Sequence, residues 1–458
     1  MIVTIIGTGY VGLVTGVCLA STGHFVRCVE VSRERLALIR DGRAPFFEPE
    51  LDTELQRVLA SGQFSAMYDA AEAMFNSELT LIAVGTPSDG EKADLSYLRT
   101  AAARIGETLR HAAPHHVIAV KSTVLPGTTR AVVGPIIERT SGLQLGDFGL
   151  AMNPEFLREG CAMSDFMNPD RIVIGQADAA SGDAVEALYA PFPCDKFRVG
   201  LEEAELIKYA SNSLLGVLIS FSNELAALSE ATPGADLETV MRGLYLDRRL
   251  SPRVSGARIE PEILGYLRGG IGFGGSCLPK DVNALRTYGK QTGVPTPVLD
   301  AVMTTNTTRA AQIVALADNA LGGLRGRTIG VLGVAFKAGT DDLRSSPSVA
   351  IIRRMRDAGA AVRAFDPLVS PPVAAGIGLE GVCCDTLEAA VAGADAVLLT
   401  TADPKFRCAD WPRIGALMRS PLVLDGRNVL RDLQLPDWME YRPIGKGEPV
   451  AAAALVES

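Results

Sequence analysis

The chain opens Met1-Ile2-Val3-Thr4-Ile5-Ile6-Gly7-Thr8-Gly9-Tyr10-Val11-Gly12. A strand-like apolar run enters a G-x-G-x-x-G turn, and Gly12–Ser21 continues without proline, as a helix does. Each glycine has its own reason. Gly7 permits the tight turn, Gly9 lets backbone approach a pyrophosphate at the helix N-terminus, and Gly12 lets helix pack on strand. Tyr10 and Val11 belong to the same turn. Phe25–Glu30 reads as the next strand and ends on an acid, Glu30, 18 residues after Gly12. A carboxylate there accepts hydrogen bonds from the adenosine ribose and repels a 2′-phosphate, so NAD is expected rather than NADP. Arg33 and Arg35 lie close by and would attract a 2′-phosphate, which keeps NADP as the alternative, and Arg35 is counted with the cofactor residues.

The alternation of strand and helix continues to about residue 195. Leu79–Val84 and Val117–Lys121 read as buried strands, which predicts a parallel sheet covered on both faces. Two polar loops follow them, Gly85-Thr86-Pro87-Ser88 and Ser122-Thr123-Val124-Leu125-Pro126-Gly127. Ligands of open sheets bind off the carboxyl ends of strands, so Thr86, Ser122 and Thr123 are expected near the nicotinamide half. From 201 to 230 the chain reads as one helix of about 30 residues, spanning about 45 Å. A Gly/Pro/Arg-rich loop covers about 247–280, and helix resumes over about 281–320. From Arg327 the alternation restarts, with Thr328–Phe336, Ala361–Phe365, Ala396–Thr400 and Leu422–Leu424 as strands and Ser348–Asp357 as helix. The expected fold is α/β: two Rossmann-like doubly wound domains joined by a long central helix and a helical region.

The chain has 458 residues, 47% of them apolar and 21% charged, a globular composition. Its 44 Lys and Arg against 53 Asp and Glu leave a net charge of −9. That argues against nonspecific binding to nucleic acid or to anionic membrane. The four histidines stand at 24, 111, 115 and 116. A histidine base in the later two thirds is thereby excluded, as is a His-rich metal site, and no metal is expected. The eight cysteines form no C-x-x-C, and no cationic leader precedes the first strand. Free thiols in a reducing cytoplasm are expected. No run of about 18 uncharged apolar residues is present, so no membrane-spanning helix is expected.

Gly269-Gly270-Ile271-Gly272-Phe273-Gly274-Gly275-Ser276-Cys277-Leu278-Pro279-Lys280-Asp281 carries the chemistry. So many glycines before a cysteine mean that backbone must approach something closely. Lys280 would favour a Cys277 thiolate.

Here the chain resembles the UDP-glucose/GDP-mannose dehydrogenase family over nearly its whole length. The motifs, in order, are GTGYVG at 7–12, VGTPS at 84–88, KSTVLPGTT at 121–129, NPEFLREG at 153–160, ELIKYASN at 205–212, GFGGSCLPKD at 272–281, FKAGTDDLRSSPS at 336–348 and DGRN at 425–428. The resemblance implies oxidation of a nucleotide sugar's C6 alcohol to a carboxylate with two NAD. UDP-glucose to UDP-glucuronate is the leading expectation, with GDP-mannose and UDP-N-acetylhexosamines as alternatives. It divides the chain into an NAD-binding domain (1–195), a central dimerisation domain carrying the cysteine loop (196–320) and a nucleotide-sugar-binding domain (321–458).

The second oxidation needs a thiolate, because an aldehyde has no hydride to release until a nucleophile adds to it. Cys277 is that nucleophile by resemblance. Lys208 and Asn212, four apart on the long helix, share a face and would stabilise an oxyanion at C6. By resemblance, Lys208 also exchanges protons with Asp281 through water held by Thr123, and Glu155 activates the hydrolytic water. Glu155, Phe156, Leu157, Arg158 and Glu159 would contact sugar and phosphate, with Glu159 near the cofactor. The loop Arg268–Gly274, including Gly270, Phe273 and Gly274, would clamp the diphosphate with backbone amides, and Tyr266 lies just before it. Phe336 and Lys337 would meet the sugar, Arg427 the nucleotide, and Lys280 and Arg344 the NAD. The stretch before the cysteine is longer than in the family. Arg258 is expected to cross a dimer interface to the partner's substrate, with Arg249 as the alternative. Leu206, Leu214, Leu215, Leu218, Phe221, Leu225 and Leu228 form an apolar stripe on the long helix, and a homodimer or higher homo-oligomer is expected.

Overall fold

The computed structural model describes residues 1–87, 93–109 and 115–448. Ser88, His111 and the Ala-rich tail lie outside the described residues. The chain forms two compact units: Met1–Ser211 with Thr287–Gly293, and Asn212–Arg286 with the described part of 294–458.

The first unit is built on eight strands: β1 (Ile2–Ile6), β2 (Phe25–Val29), β3 (Phe64–Met67), β4 (Leu79–Ile82), β5 (Val117–Val120), β6 (Gly149–Met152), β7 (Arg171–Gln176) and β8 (Asp195–Gly200). Their order is β3-β2-β1-β4-β5-β6-β7-β8. Pairing is parallel except between β6 and β7. The aliphatic strands β4, β5 and β6 are buried throughout, as a sheet covered on both faces demands. The first helix, α1 (Tyr10–Ser21), is buried from Gly12 to Ala20, which is why its sequence is apolar all round. Strand order reverses between β1 and β4, the place where open parallel sheets form a ligand crevice. Ile6 stands beside Val29 and Ile82, so Gly7, Glu30 and Ala83 leave the sheet side by side.

The expected α/β architecture with parallel sheets holds, and the sheet is wider than the sequence reading. β3 (FSAM) and β6 (GLAM) carry no β-branched residue, and the edge strand β8 alternates charged and apolar residues instead of forming a buried run.

The second unit has a parallel sheet in the order 361–365, 328–332, 396–399, 422–425, 440–443. The last of these, Glu440–Pro443, was not anticipated; its proline is tolerated because the strand is at an edge. The central helix runs Leu201–Ala231. The helical stretch expected over 281–320 is two helices, Leu278–Thr292 and Pro297–Leu321. Gly293, at φ +73°, and Pro297 at the next helix start make the break. The 247–280 loop contains the antiparallel pair Arg253–Val254 and Ala257–Arg258, then the 3-10 turn Glu262–Tyr266.

By length and composition the central helix is the one among the described residues that could cross a membrane, where none was expected. Its first turns carry Glu202, Glu203, Glu205 and Lys208, and Glu205 and Lys208 are buried among protein groups. All eight cysteines are free.

Candidate active site

In the first unit the glycine turn has the geometry its motif implies. Gly7 sits at φ +102°, and a Cβ there would lie 2.8 Å from the Ala83 carbonyl oxygen. A Cβ on Gly12 would lie 2.0 Å from the Gly7 oxygen, whereas one on Gly9 would meet nothing within 4 Å. The open position is the one that approaches a pyrophosphate. Val11 is partly buried in the first turn of α1.

Glu30 is buried at the end of β2. It accepts from the Thr8 hydroxyl and, at 2.7 Å, from the Ser32 amide. Arg35 lies 3.7 Å from Glu30 and donates at 2.9 Å to the Thr8 carbonyl. Arg33 lies over the Tyr68 ring at 5.3 Å. Both arginines thus have protein partners, and Arg35 braces the acid and the turn together.

Sequence reasoning missed Glu48. This buried carboxylate accepts from the Tyr10 hydroxyl and from the amides of Gly160 and Ala162, both at 2.7 Å. It ties the cofactor turn to the end of the NPEFLREG segment. Burial and the Glu48 charge push the Tyr10 phenol well above its ordinary range. The Phe47-Glu48-Pro49 context was the available signal: an acid in an otherwise apolar, proline-fixed loop.

The loops after β4 and β5 are cross-linked. Thr86 donates to the Thr123 carbonyl at 2.9 Å, and Ser122 to that of Val84 at 2.7 Å. Glu155 and Lys208 are both buried and pair at 2.9 Å, while Glu155 also accepts from the Leu157 amide at 2.6 Å. Burial raises the Glu155 carboxyl, but Lys208, the amide and Lys121 together hold it below its usual value. Phe156 stacks under Arg171 at 4.2 Å and lies 5.4 Å from the Lys208 ammonium. Arg158 pairs with Asp165 at 2.7 Å, one residue before Glu159.

Two further buried groups carry charge here. Lys121 donates to Asn153 at 3.0 Å and to Tyr189 at 3.1 Å, and burial pulls its ammonium down to about 8. Glu205 accepts from the amides of Gly127 at 2.5 Å and Thr129 at 2.7 Å, and burial pushes it up to about 7.

In the second unit, Cys277 immediately precedes the helix Leu278–Thr292 and is partly buried. A helix N-terminus favours a thiolate. Asp281 is buried; one oxygen accepts from Asn212 at 2.6 Å and the other pairs with Lys280 at 2.5 Å. Lys280 therefore spends its charge on Asp281.

The glycine loop approaches its own protein. A Cβ would lie 2.4 Å from the Leu237 side chain at Gly269, 2.7 Å from the Arg427 guanidinium at Gly270 and 2.8 Å from Asn306 at Gly272. At Gly274 it would lie 2.3 Å from the Ser345 carbonyl oxygen, and at Gly275 2.8 Å from the Phe336 ring. Not every amide expected to clamp a diphosphate is available: those of Gly270 and Phe273 donate to Asn223 and Asn306, and just past the expected loop the Gly275 amide donates to the Arg344 carbonyl.

Arg427 donates to the carbonyls of Thr400 at 2.9 Å and Gly272 at 3.3 Å, and burial lowers it to about 10. Lys337 lies 5.6 Å over Phe336, and Arg344 pairs with Asp342 at 2.8 Å. Tyr266 ends the 3-10 turn, partly buried. Nη1 of Arg258 donates to the carbonyls of Tyr245, Leu246 and Ser251 at 3.0–3.3 Å, the work of a local staple. Arg249 is exposed and pairs with Asp247 at 2.5 Å.

Comparison with known proteins finds relatives over nearly the full length of the chain. Family models of the UDP-glucose/GDP-mannose dehydrogenases match in three blocks: the NAD binding domain over residues 1–193, the central domain over 202–308 and the UDP binding domain over 330–432. A UDP-glucose 6-dehydrogenase of Pseudomonas aeruginosa is 40% identical over 457 residues, covering 96% of this chain and 97% of that one. A GDP-mannose 6-dehydrogenase of Pseudomonas putida is 40% identical over 372 residues, covering 80% and 81%. The solved UDP-glucose dehydrogenase of Pyrobaculum islandicum superposes with a TM-score of 0.86 at 36% identity, covering 97% of each chain.

Proposed function

Since the chain belongs to the UDP-glucose/GDP-mannose dehydrogenase family, we propose that it oxidises UDP-glucose to UDP-glucuronate in two steps. That it is an NAD-dependent nucleotide-sugar 6-dehydrogenase follows from the family matches and the full-length relatives. The single observation that carries the two-step reading is Cys277, placed at a helix N-terminus behind a fixed glycine loop.

The residues of the first unit fit NAD: an open Gly9, a braced Glu30, and Thr86, Ser122 and Thr123 at adjoining strand ends. When bound, NAD supplies the hydride acceptor for each oxidation. Lys208 and Asp281 take the proton as the C6 alcohol becomes an aldehyde. The Cys277 thiolate then adds to the aldehyde carbon, and Lys208 and Asn212 stabilise the oxyanion of the thiohemiacetal. Loss of hydride from that carbon leaves a thioester on Cys277. Water cleaves the thioester, Glu155 accepts the water's proton, and Cys277 leaves as thiolate. A Glu155 held below its usual value is ionised at neutral pH and ready for that proton.

The 1–195, 196–320 and 321–458 division, with the nucleotide held by the last part through Arg427, belongs to this proposal, as does cytoplasmic residence. So does a homodimer: Leu214, Phe221 and Leu228 are each about half exposed and seven apart on the central helix, while Leu218 and Leu225 pack on the chain's own core. An exposed heptad row suits a second copy. Arg249, with its exposed guanidinium, suits the cross-subunit role better than Arg258.

NADH release from a panel of UDP-glucose, GDP-mannose and UDP-N-acetylhexosamines tests the reading. UDP-glucose is expected to have the highest kcat/KM and to yield two NADH per sugar. A higher kcat/KM with GDP-mannose, or one NADH per product, would overturn it.

A further inference from the structure

The loop that precedes Cys277 is held by side chains of two helices, and none of them has a part in the chemistry above. Asn306, on the helix Pro297–Leu321, accepts from the Phe273 amide at 2.8 Å and donates to the Phe273 carbonyl at 3.0 Å. It satisfies both backbone groups of that residue, as a neighbouring strand would. Asn223, on the central helix, accepts from the Gly270 amide at 2.7 Å. Arg309, wholly buried, donates to the Gly270 carbonyl at 2.8 Å. Its remaining nitrogens pair with Glu230 at 2.9 and 3.2 Å. Glu230 in turn accepts from the Gly445 amide at 2.9 Å, which fixes the arginine's far end. Gly270 and Phe273 are thus tied at both their polar groups by three side chains.

The residues between and beside them differ. Ile271, Gly272 and Gly274 are buried, yet their amides make no hydrogen bond within the described residues. Buried amides are nearly always paired, so these three are in want of an acceptor. The neighbouring cation is Arg427, whose guanidinium would lie 2.7 Å from a Cβ on Gly270. Three buried donors and a cation suit an anion.

We propose that Asn306, Asn223 and Arg309 are positioning residues: by pinning Gly270 and Phe273 they hold the loop in the conformation that reserves the Ile271, Gly272 and Gly274 amides for the substrate's diphosphate and sets Cys277, four residues on, in place. Diphosphate as the occupant rests on the function proposed above; the pinning of Cys277 does not. Geometry explains why the pins are amides and a fully paired arginine. A carboxylate in their place would repel the incoming anion, and an unpaired cation would bind it in the wrong place. The pins also account for two of the glycines, since Gly272 is small to admit Asn306 and Gly270 to admit Arg427.

The test uses full-length Asn306→Leu, which removes both hydrogen bonds at similar volume, and Asn306→Asp, which keeps only the acceptor. Asn306 is partly exposed, so both should fold, and circular dichroism well below Tm checks this. Calorimetry measures uridine diphosphate and NAD binding, and peptide mapping follows iodoacetamide alkylation of Cys277 with and without uridine diphosphate. Asn306→Leu is expected to weaken uridine diphosphate binding at least tenfold, to change the Cys277 alkylation rate severalfold and to leave NAD affinity unchanged; Asn306→Asp, which keeps the acceptor but adds a repelling charge, is expected to weaken uridine diphosphate at least as much, with an alkylation rate between those of Asn306→Leu and wild type. A purely structural asparagine would lower Tm and leave these readouts alone. Wild-type affinity and wild-type alkylation in folded Asn306→Leu would overturn the proposal. Wild-type enzyme that ignores uridine diphosphate would overturn the diphosphate reading instead, and alkylation without ligand would still decide the pinning.

Discussion

The two glycine-rich segments, 7–12 and 269–275, look alike as sequence and differ as structure. The first has crowded glycines at its ends and an open one, Gly9, between them. In the second, all five glycines are crowded, and every neighbour is part of the protein itself. One is a turn shaped around empty space for a ligand; the other is a knot tied into the fold, with donors left over in its strands. Glycine count alone does not separate the two cases. What separates them is what a methyl group would strike.

The largest expected effect breaks the comparison at its chemical end. If only the second segment serves covalent chemistry, Cys277→Ser should lower four-electron turnover by on the order of 10⁴-fold or more. NAD affinity, which rests on the first segment, should be unchanged. Steady-state NADH release together with calorimetric NAD titration measures both. Four-electron turnover close to wild type would remove Cys277 from the reaction.

The next effect sharpens the contrast between space and knot. Gly274→Ala would drive a methyl group into the Ser345 carbonyl oxygen, which is backbone and cannot rotate away. The expected cost is about 1–3 kcal/mol of stability, read as a lowered Tm. Gly9→Ala should leave Tm within about 1 °C, because nothing is struck, yet weaken NAD by about tenfold or more. If Gly9→Ala binds NAD as wild type does, the open position is not where the cofactor's phosphates come closest.

How much of this was legible follows the same line. The turn at 7–12 and the acid at Glu30 could be read because their reasons are local: a strand, a tight turn and a helix within 30 residues. The strands Phe64–Met67 and Gly149–Met152 could not be, since FSAM and GLAM hold no β-branched residue, whereas the equally short LTLI and VIAV do. The motif positions around Cys277 were found by resemblance, but the reason for the glycines was not. Their neighbours, Leu237, Asn306, Phe336, Ser345 and Arg427, come from distant parts of the chain. Lys280 illustrates the limit: proximity in sequence suggested a partner for Cys277, and tertiary packing gave it Asp281 instead. Glu205 went unread because its partners, the Gly127 and Thr129 amides, are remote in sequence, and Glu48 because its partners Tyr10, Gly160 and Ala162 are too, leaving only its apolar, proline-flanked context as a signal.

A smaller effect concerns the edge of the first segment. Glu30→Gln removes the charge that repels a 2′-phosphate, while Arg35 remains in place to attract one. The ratio of kcat/KM for NAD over NADP is expected to fall by about tenfold, roughly the worth of one charged contact. An unchanged ratio would mean that the loop, not the carboxylate, sets the preference.

The smallest effect separates the 269–275 loop from another loop of the first unit by titration. The loop at 269–275 is pinned by Asn223, Asn306 and a fully paired Arg309, none of which changes charge between pH 4 and pH 9 by ordinary side-chain chemistry. The loop after β5 is pinned by Glu205, which burial raises to about 7, with the nearby Glu202 charge adding to the rise. A carboxyl raised in the folded state holds its proton longer there than in the unfolded chain. Its contribution to stability is therefore full below its unfolded value of about 4.3 and is lost as pH climbs towards 7. Glu155 runs the other way: lowered in the fold, it contributes above its unfolded value and loses that contribution as pH falls through its folded one. The buried His24 and His116, both lowered, make stability rise with pH over part of the same range, so the raw slope mixes signs. The difference between Glu205→Gln and wild type isolates one term. The variant's Tm relative to wild type should rise by about 1–3 °C between pH 5 and pH 8. Asn306→Leu should show a constant offset over the same range. A Glu205→Gln offset that stays flat would mean that this carboxyl ionises in the ordinary range, and the loop after β5 would then be held as insensitively to pH as the loop at 269–275.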